Sequence, residues 1–187
     1  AVLWSNSGYK VAVIDADPQK SLTYWLSERK KYYGDDDIGI NFYNFDIRNL
    51  AEEVKKIKRK YDFIIIDSPP AITFETLQII KASNGVFVPV QPSPLDLMAT
   101  LPFLQIAKEE KKKPLIILNR VMPRAKLTDA MILRLRYSGA KIARSRISSK
   151  VIFAESFAVG RGVIDINVTS DAAKEIINVG NEILRNL

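Results

Sequence analysis

Apolar runs of strand length alternate along this chain with segments whose apolar positions recur every three or four residues. That rhythm predicts parallel strands joined by helices rather than hairpins or a helix bundle. Strands are expected near 10–15, 40–45, 62–67, 85–90, 114–119 and 143–147. Helices are expected as a short one after Ser21, then over 48–60, 73–83, 95–111, 127–138 and 170–186. Phe63-Ile-Ile-Ile66 is an unbroken apolar run, the pattern of a strand buried on both sides. The fold class is therefore α/β, with a mostly parallel central sheet and helices on both faces. Ala1-Val-Leu-Trp-Ser-Asn-Ser-Gly8 reads as the last turns of a helix closed by glycine, so an upstream segment is expected. Only Tyr33-Gly-Asp-Asp-Asp-Ile-Gly39 resembles a linker, and its length suits a surface loop; one domain over 1–187 is the expectation.

Composition narrows the chemistry. The chain has 187 residues, 47% of them apolar, enough for a sizeable core. It has no cysteine and no histidine, which excludes disulfides, thiolate metal sites, the usual zinc ligands and the usual neutral-pH general base. Carboxylates, hydroxyls, lysines or bound water must carry any acid-base or metal chemistry. No apolar run approaches the roughly 20 residues of a membrane span, and the first residues lack a signal-peptide pattern, so a cytoplasmic protein without a membrane partner is expected.

Charge is concentrated rather than spread. Residues 120–150 carry nine basic side chains (Arg120, Arg124, Lys126, Arg134, Arg136, Lys141, Arg144, Arg146 and Lys150) against one acid, Asp129, while the whole chain nets +7. Such a stretch is the footprint of a polyanion partner, with a merely solvated basic face as the alternative. Lys55-Lys-Ile-Lys-Arg-Lys60 and Lys111-Lys-Lys113 fall at helix ends, where cations favour the helix dipole, and are read as structural.

Three strand ends carry candidate chemistry. Val11-Ala-Val-Ile-Asp-Ala-Asp-Pro-Gln19 delivers Asp15 and Asp17 to the carboxyl edge of a parallel sheet, where phosphates and their metal bind in open α/β folds. A carboxylate held there in a rigid turn can order an attacking water, because phosphoryl transfer depends mainly on positioning and charge stabilisation; Asp17 is the candidate. Capping of the next helix by the same aspartates fits the local pattern as well. Tyr61-Asp-Phe-Ile-Ile-Ile-Asp-Ser-Pro-Pro70 delivers Asp67, and a lone Asp suffices for magnesium, which keeps several waters. Pro114-Leu-Ile-Ile-Leu-Asn-Arg120 ends in Asn119, whose amide suits a purine edge but is equally an ordinary turn residue.

Together these segments resemble the ParA and MinD family of deviant P-loop ATPases over essentially the whole chain. Gly8 to Gln19 looks like the family's second acidic motif, Tyr61 to Pro70 like its Walker B strand, and Val88-Pro-Val-Gln-Pro-Ser-Pro-Leu-Asp96 like the loop after its next strand. The Pro-Ser-Pro-Leu-Asp sequence and the small size are most similar to the short, plasmid-type ParA branch. The resemblance implies Asp17 as the residue orienting hydrolytic water, Asp15 beside the nucleotide, Asp67 on the magnesium shell, and Asn119 with Arg120 near adenine. The family's lysine-bearing glycine loop and the strand feeding it would precede Ala1, so this chain by itself is expected to be inactive.

The resemblance implies ATP and Mg2+ as cofactors and a homodimer in the ATP-bound state. It also implies non-specific DNA held by Lys126, Arg134, Arg136, Lys141, Arg144, Arg146 and Lys150, and a ParB-like or ParG-like partner that stimulates hydrolysis. The terminal helix has only Lys174 and Arg185 as cations, unlike a basic membrane helix, and the absence of cysteine sets the chain apart from iron-protein relatives. The expected role is partitioning of a plasmid or chromosome by a cytoplasmic, nucleoid-associated ATPase. Two rivals are an ATPase that positions a protein cargo on the nucleoid and a non-enzymatic DNA-binding or adaptor protein built on the same fold.

Overall fold

The computed structural model describes residues 1–34, 38–69, 73–123 and 126–187, apart from the side chains of Glu75, Lys126 and Leu127. In chain order the elements begin with α1 (Val2–Asn6), β1 (Val11–Asp15), α2 (Ser21–Tyr33), β2 (Asn41–Tyr43), a 3-10 turn (Ile47–Asn49), α3 (Leu50–Ile57), β3 (Phe63–Asp67) and α4 (Phe74–Ala82). They continue with β4 (Phe87–Val90), α5 (Pro94–Glu109), β5 (Leu115–Leu118), α6 (Lys126–Tyr137), β6 (Lys141–Ile142), α7 (Val151–Ala158), α8 (Val163–Ile166) and α9 (Asp171–Leu184). The chain forms two compact units, one of Ala1–Ala82 with Ile152–Val168 and the other of Ser83–Val151 with Thr169–Leu187.

In the first unit the strands run parallel in the order β2-β1-β3, with Asp15 opposite Asp67 in register. β1 is flanked on both sides and buried at all five positions. Ile14, Leu50 and Ile79 form the core of this unit with Tyr43, Val54, Ile64 and Ile66 packed on them. β3 departs from the expectation of two-sided burial. It lies at the margin of the hydrogen-bonded order, and Phe63 to Ile66 are half-buried. Trp4 of α1 covers part of it, its ring 4.4 Å from that of Phe63. Behind Trp4 the short helix closes on Gly8 at φ 89°, as its sequence predicts.

α2 is longer than the short helix expected, because its middle is pinned from outside. Arg29, 4% exposed, donates from Nε to the Ile38 carbonyl at 2.8 Å and from Nη1 to the Gly160 carbonyl at 3.2 Å and the Asp165 carboxylate at 2.8 Å. The Trp25 and Tyr33 rings flank its guanidinium. Gly160 permits the approach: a Cβ there would lie 2.0 Å from the Arg29 backbone nitrogen, and its φ is 65°. α7 and α8, which bring Gly160 and Asp165 to this place, are absent from the helices that periodicity predicts.

In the second unit the strands run parallel in the order β4-β5-β6. β5 is buried throughout. Its Ile116 and Leu118 join Val90, Leu97, Val121, Met131 and Leu135, while Leu115 and Ile117 join Ala143 and Val179 of α9. Helices therefore cover both faces, as an apolar parallel strand requires. The Pro-Ser-Pro-Leu-Asp stretch is a helix start: Ser93 caps α5 by accepting from the Asp96 N–H, its hydroxyl donates to the Asp96 carboxylate at 2.9 Å, and Pro94 takes the first turn.

The last strand differs from the expected 143–147. The strand ends at Ile142: the Ala143 N–H still donates to the Ile116 carbonyl at 2.8 Å, but the N–H groups of Arg144 and Ser145 then donate to the Glu182 carboxylate, each at 2.8 Å. The backbone returns to β5 only at Ile147, whose N–H donates to the Leu118 carbonyl at 2.9 Å. Among the described residues no helix is long and apolar enough to cross a membrane.

Candidate functional site

Because β1, β2 and β3 are parallel, their carboxyl ends share one edge of the first sheet, and Asp15, Asp17, Asn44 and Asp67 all lie there. The three aspartates do different things. Asp15 is 0% exposed and its oxygens are occupied from within: Oδ1 accepts from the Asp17 N–H at 3.2 Å, and Oδ2 from the Thr23 N–H at 2.9 Å and the Thr23 hydroxyl at 2.5 Å. It ties the strand end to the first turn of α2, so the capping reading of the sequence describes its contacts better than ligand binding does.

Asp17 is half-buried in a tight turn, where its Oδ1 accepts from the Gln19 N–H at 2.9 Å and its carbonyl from the Lys20 N–H at 3.0 Å. Its other carboxylate oxygen makes no bond among the described residues. Asp67 is exposed, and its carboxylate has neither a hydrogen-bond donor nor an ion-pair partner among the described residues. Desolvation, then the charges of Asp15 and Asp17, raise its pKa above the ordinary carboxylate value. An unshielded carboxylate beside two others is a place that favours a cation.

Lys20 escaped the sequence reading. Its backbone is left-handed at φ 55°, a conformation costly for any residue with a Cβ, and it precedes α2. Its ammonium lies 3.2 Å from the Asp15 carbonyl and 3.2 Å from Asn44 Oδ1, linking the ends of β1 and β2. A lysine one residue after Asp-Pro-Gln was the available signal. No three or more carboxylates converge as a metal cage among the described residues, so a magnesium ion here would take Asp67 and otherwise rely on water and phosphate oxygens, in keeping with its chemistry. The residues fit that ion.

Asn119 and Arg120 belong to the second unit, at the carboxyl end of β5. The Asn119 N–H donates to the Val90 carbonyl at 2.9 Å, and its side-chain oxygen accepts from the Arg120 N–H at 2.9 Å, which leaves its amide NH2 without a partner among the described residues. Arg120 is exposed and left-handed at φ 53°. Strained backbone at such positions is a mark of functional turns.

Of the basic residues, Arg134, Arg136, Lys141, Arg144 and Arg146 are exposed and make no ion pair among the described residues. Lys150 differs: it is half-buried and its ammonium is paired with Glu175 at 2.8 Å, so its charge is already neutralised within the unit. The Lys126 side chain lies outside the described residues.

Residues 37–119 match the AAA domain family. Over 182 residues the chain is 25% identical to the maintenance of carboxysome distribution protein A of Halothiobacillus neapolitanus, covering 94% of this chain and 83% of that one. A ParA family protein of Mycoplasma genitalium is 25% identical over 158 residues, 81% of this chain and 59% of its own length. Against that relative the chain spans less than two thirds. Among solved structures, McdA of Cyanothece superposes with a TM-score of 0.81 at 20% identity, covering 97% of this chain and 90% of that one. The cell division ATPase MinD of Pyrococcus furiosus gives 0.79 at 18%, covering 100% and 90%.

The chain is similar to ParA and MinD family proteins over nearly its whole length. Its fold is that family's α/β, P-loop NTPase-like fold, with mostly parallel strands between helices. Asp17, Asp67 and Asn119 thus occur at strand ends of a ParA/MinD fold, where open α/β sheets present residues to ligands.

Proposed function

We propose that this chain is the ATP-hydrolysing core of a ParA-type switch, which dimerises around ATP and holds DNA non-specifically while bound to it. The observation that carries the reading is the Asp67 carboxylate, which stands at the edge of a parallel sheet with no protein donor among the described residues and two acidic neighbours. A magnesium ion bound to triphosphate would neutralise that charge and polarise the transferred phosphoryl group. Asp17, fixed by its own turn and with one oxygen free, orients the attacking water. Relatives of known structure support the choice of ligand: one is a singly substituted McdA of Cyanothece in complex with ATP, and another is MinD with Mg-ADP.

The exposed cations Arg134, Arg136, Lys141, Arg144 and Arg146 support phosphate contact without base reading. Plasmid or chromosome partition is the cargo that the sequence suggests. Similarity across 94% of the chain to a carboxysome distribution protein favours a second reading, placement of a protein assembly over the nucleoid. The test of the core proposal is calorimetric titration of ATP into the product of the complete reading frame, with magnesium and with chelator. Magnesium-dependent binding that Asp67→Ala abolishes is the expected result, and absence of ATP binding in both conditions overturns it.

A further inference from the structure

α6 buries Met131 and Leu135 and turns Leu133, Arg134, Arg136 and Tyr137 to solvent. Tyr137 is 81% exposed, the most open of the large apolar and aromatic side chains described. Its ring contacts no other aromatic ring, and its hydroxyl has no partner among the described residues. A tyrosine left mostly in water contributes little to folding, so packing does not explain it. Its surroundings are cationic: Arg134 and Arg136 precede it on the helix, and the turn that follows leads at once to Lys141. Gly139 makes that turn at φ 81°, the left-handed backbone that glycine adopts without strain.

We infer that this end of α6 is a stacking platform for unpaired nucleobases, with Tyr137 as the ring and Arg134, Arg136 and Lys141 holding the adjoining phosphates. The inference rests on the proposed DNA contact and deepens it by naming single-stranded or locally opened nucleic acid as a ligand of the same surface. One exposed ring among cations is what sequence-independent single-strand binding uses, since every base has a π face. A duplex offers phosphates to the cations but no free base to the ring. An anionic membrane would satisfy the charges too, yet interfacial anchoring needs a broad apolar face, and among the described side chains of α6 only Leu133 and Tyr137 are large apolar or aromatic groups left exposed, Met131 and Leu135 being committed to the core.

The experiment uses the product of the complete reading frame with ATP and magnesium, and fluorescence anisotropy on a labelled oligothymidylate and on a duplex of equal length. Tyr137→Ala is expected to weaken single-strand binding roughly 5- to 100-fold. Duplex binding should stay within about 2-fold, and Tyr137→Phe, which keeps the ring, should bind both like the unaltered protein. The position is exposed, so both variants are expected to fold, and circular dichroism checks it. If Tyr137→Ala binds the single strand normally, or weakens for both ligands equally, the stacking role is overturned while DNA contact stands. If the unaltered protein binds neither ligand, DNA contact itself falls, and the stacking role with it. Loss on Tyr137→Ala of co-sedimentation with phosphatidylglycerol vesicles, with single-strand binding unchanged, overturns the inference in favour of a lipid surface.

Discussion

At the scale of single residues, the aspartates show how position along one turn divides roles. Asp15 is sealed by Thr23, Asp17 is fixed but open on one oxygen, and Asp67 has no protein partner among the described residues. If Asp17 orients water, Asp17→Ala in the complete gene product lowers the ATP turnover number at least about 100-fold while leaving ATP affinity near normal, because positioning acts in the transition state. Steady-state turnover paired with calorimetry checks both halves. Asp15→Ala is expected instead to destabilise the protein, since it leaves the half-buried Thr23 N–H and hydroxyl without their acceptor. Both strand-end acids could be read from the sequence, because a buried apolar run followed by a carboxylate has few alternatives in a parallel sheet. Lys20 could not: its meaning depends on a left-handed backbone and on Asn44, which a different strand supplies.

At the scale of elements, interactions between distant segments decided what local pattern could not. β1 and β5 follow their apolar runs because both faces are covered. The segment 143–147 carries a similar pattern yet the strand stops at Ile142, and Glu182, far along the chain, captures the N–H groups of Arg144 and Ser145 beyond it. α7 defeats periodicity outright: it buries Ser156 and leaves Val151 and Phe157 exposed. The charged segment around α6 yields a prediction of its own. Reversing Arg134, Lys141 and Arg144 together should lower DNA affinity and reduce the slope of log affinity against log salt by roughly 0.9 for each phosphate no longer neutralised. Titration at several salt concentrations measures it, and an unchanged slope removes this segment from the DNA surface.

At the scale of the whole molecule, buried ionic groups set the response to acid. Burial alone would raise the Asp165 pKa, but the Gly162 N–H and the Arg29 guanidinium outweigh it and hold the value below the ordinary one. For Glu175 and Glu182 too, burial pushes upward, but donors from Lys150, Ser148, Ser145 and Arg144 outweigh it and leave the pKa lowered. Carboxyls lowered in the folded state contribute stability above their unfolded pKa of about 4 and lose it as pH falls through the folded value. Urea unfolding should therefore show stability declining below about pH 4, with a shallower decline in Asp165→Asn. That variant also leaves Arg29 buried without its counter-charge, at a cost of roughly 3–5 kcal/mol near neutrality. Gly160→Ala should be destabilising by roughly 2–4 kcal/mol through left-handed strain and collision with the α2 backbone.

The path of the chain between its two units has a practical result. Polypeptide leaves the first unit after Ala82, returns at Ile152 and departs again after Val168, so neither half is a continuous stretch of gene. A protease nick between 83 and 151 would yield two fragments that stay associated under native conditions, riveted by Arg29 to Gly160 and Asp165, and separate only in denaturant. Both tryptophans, Trp4 and Trp25, lie in the first unit, so their emission watches one half of the fold while circular dichroism watches all of it.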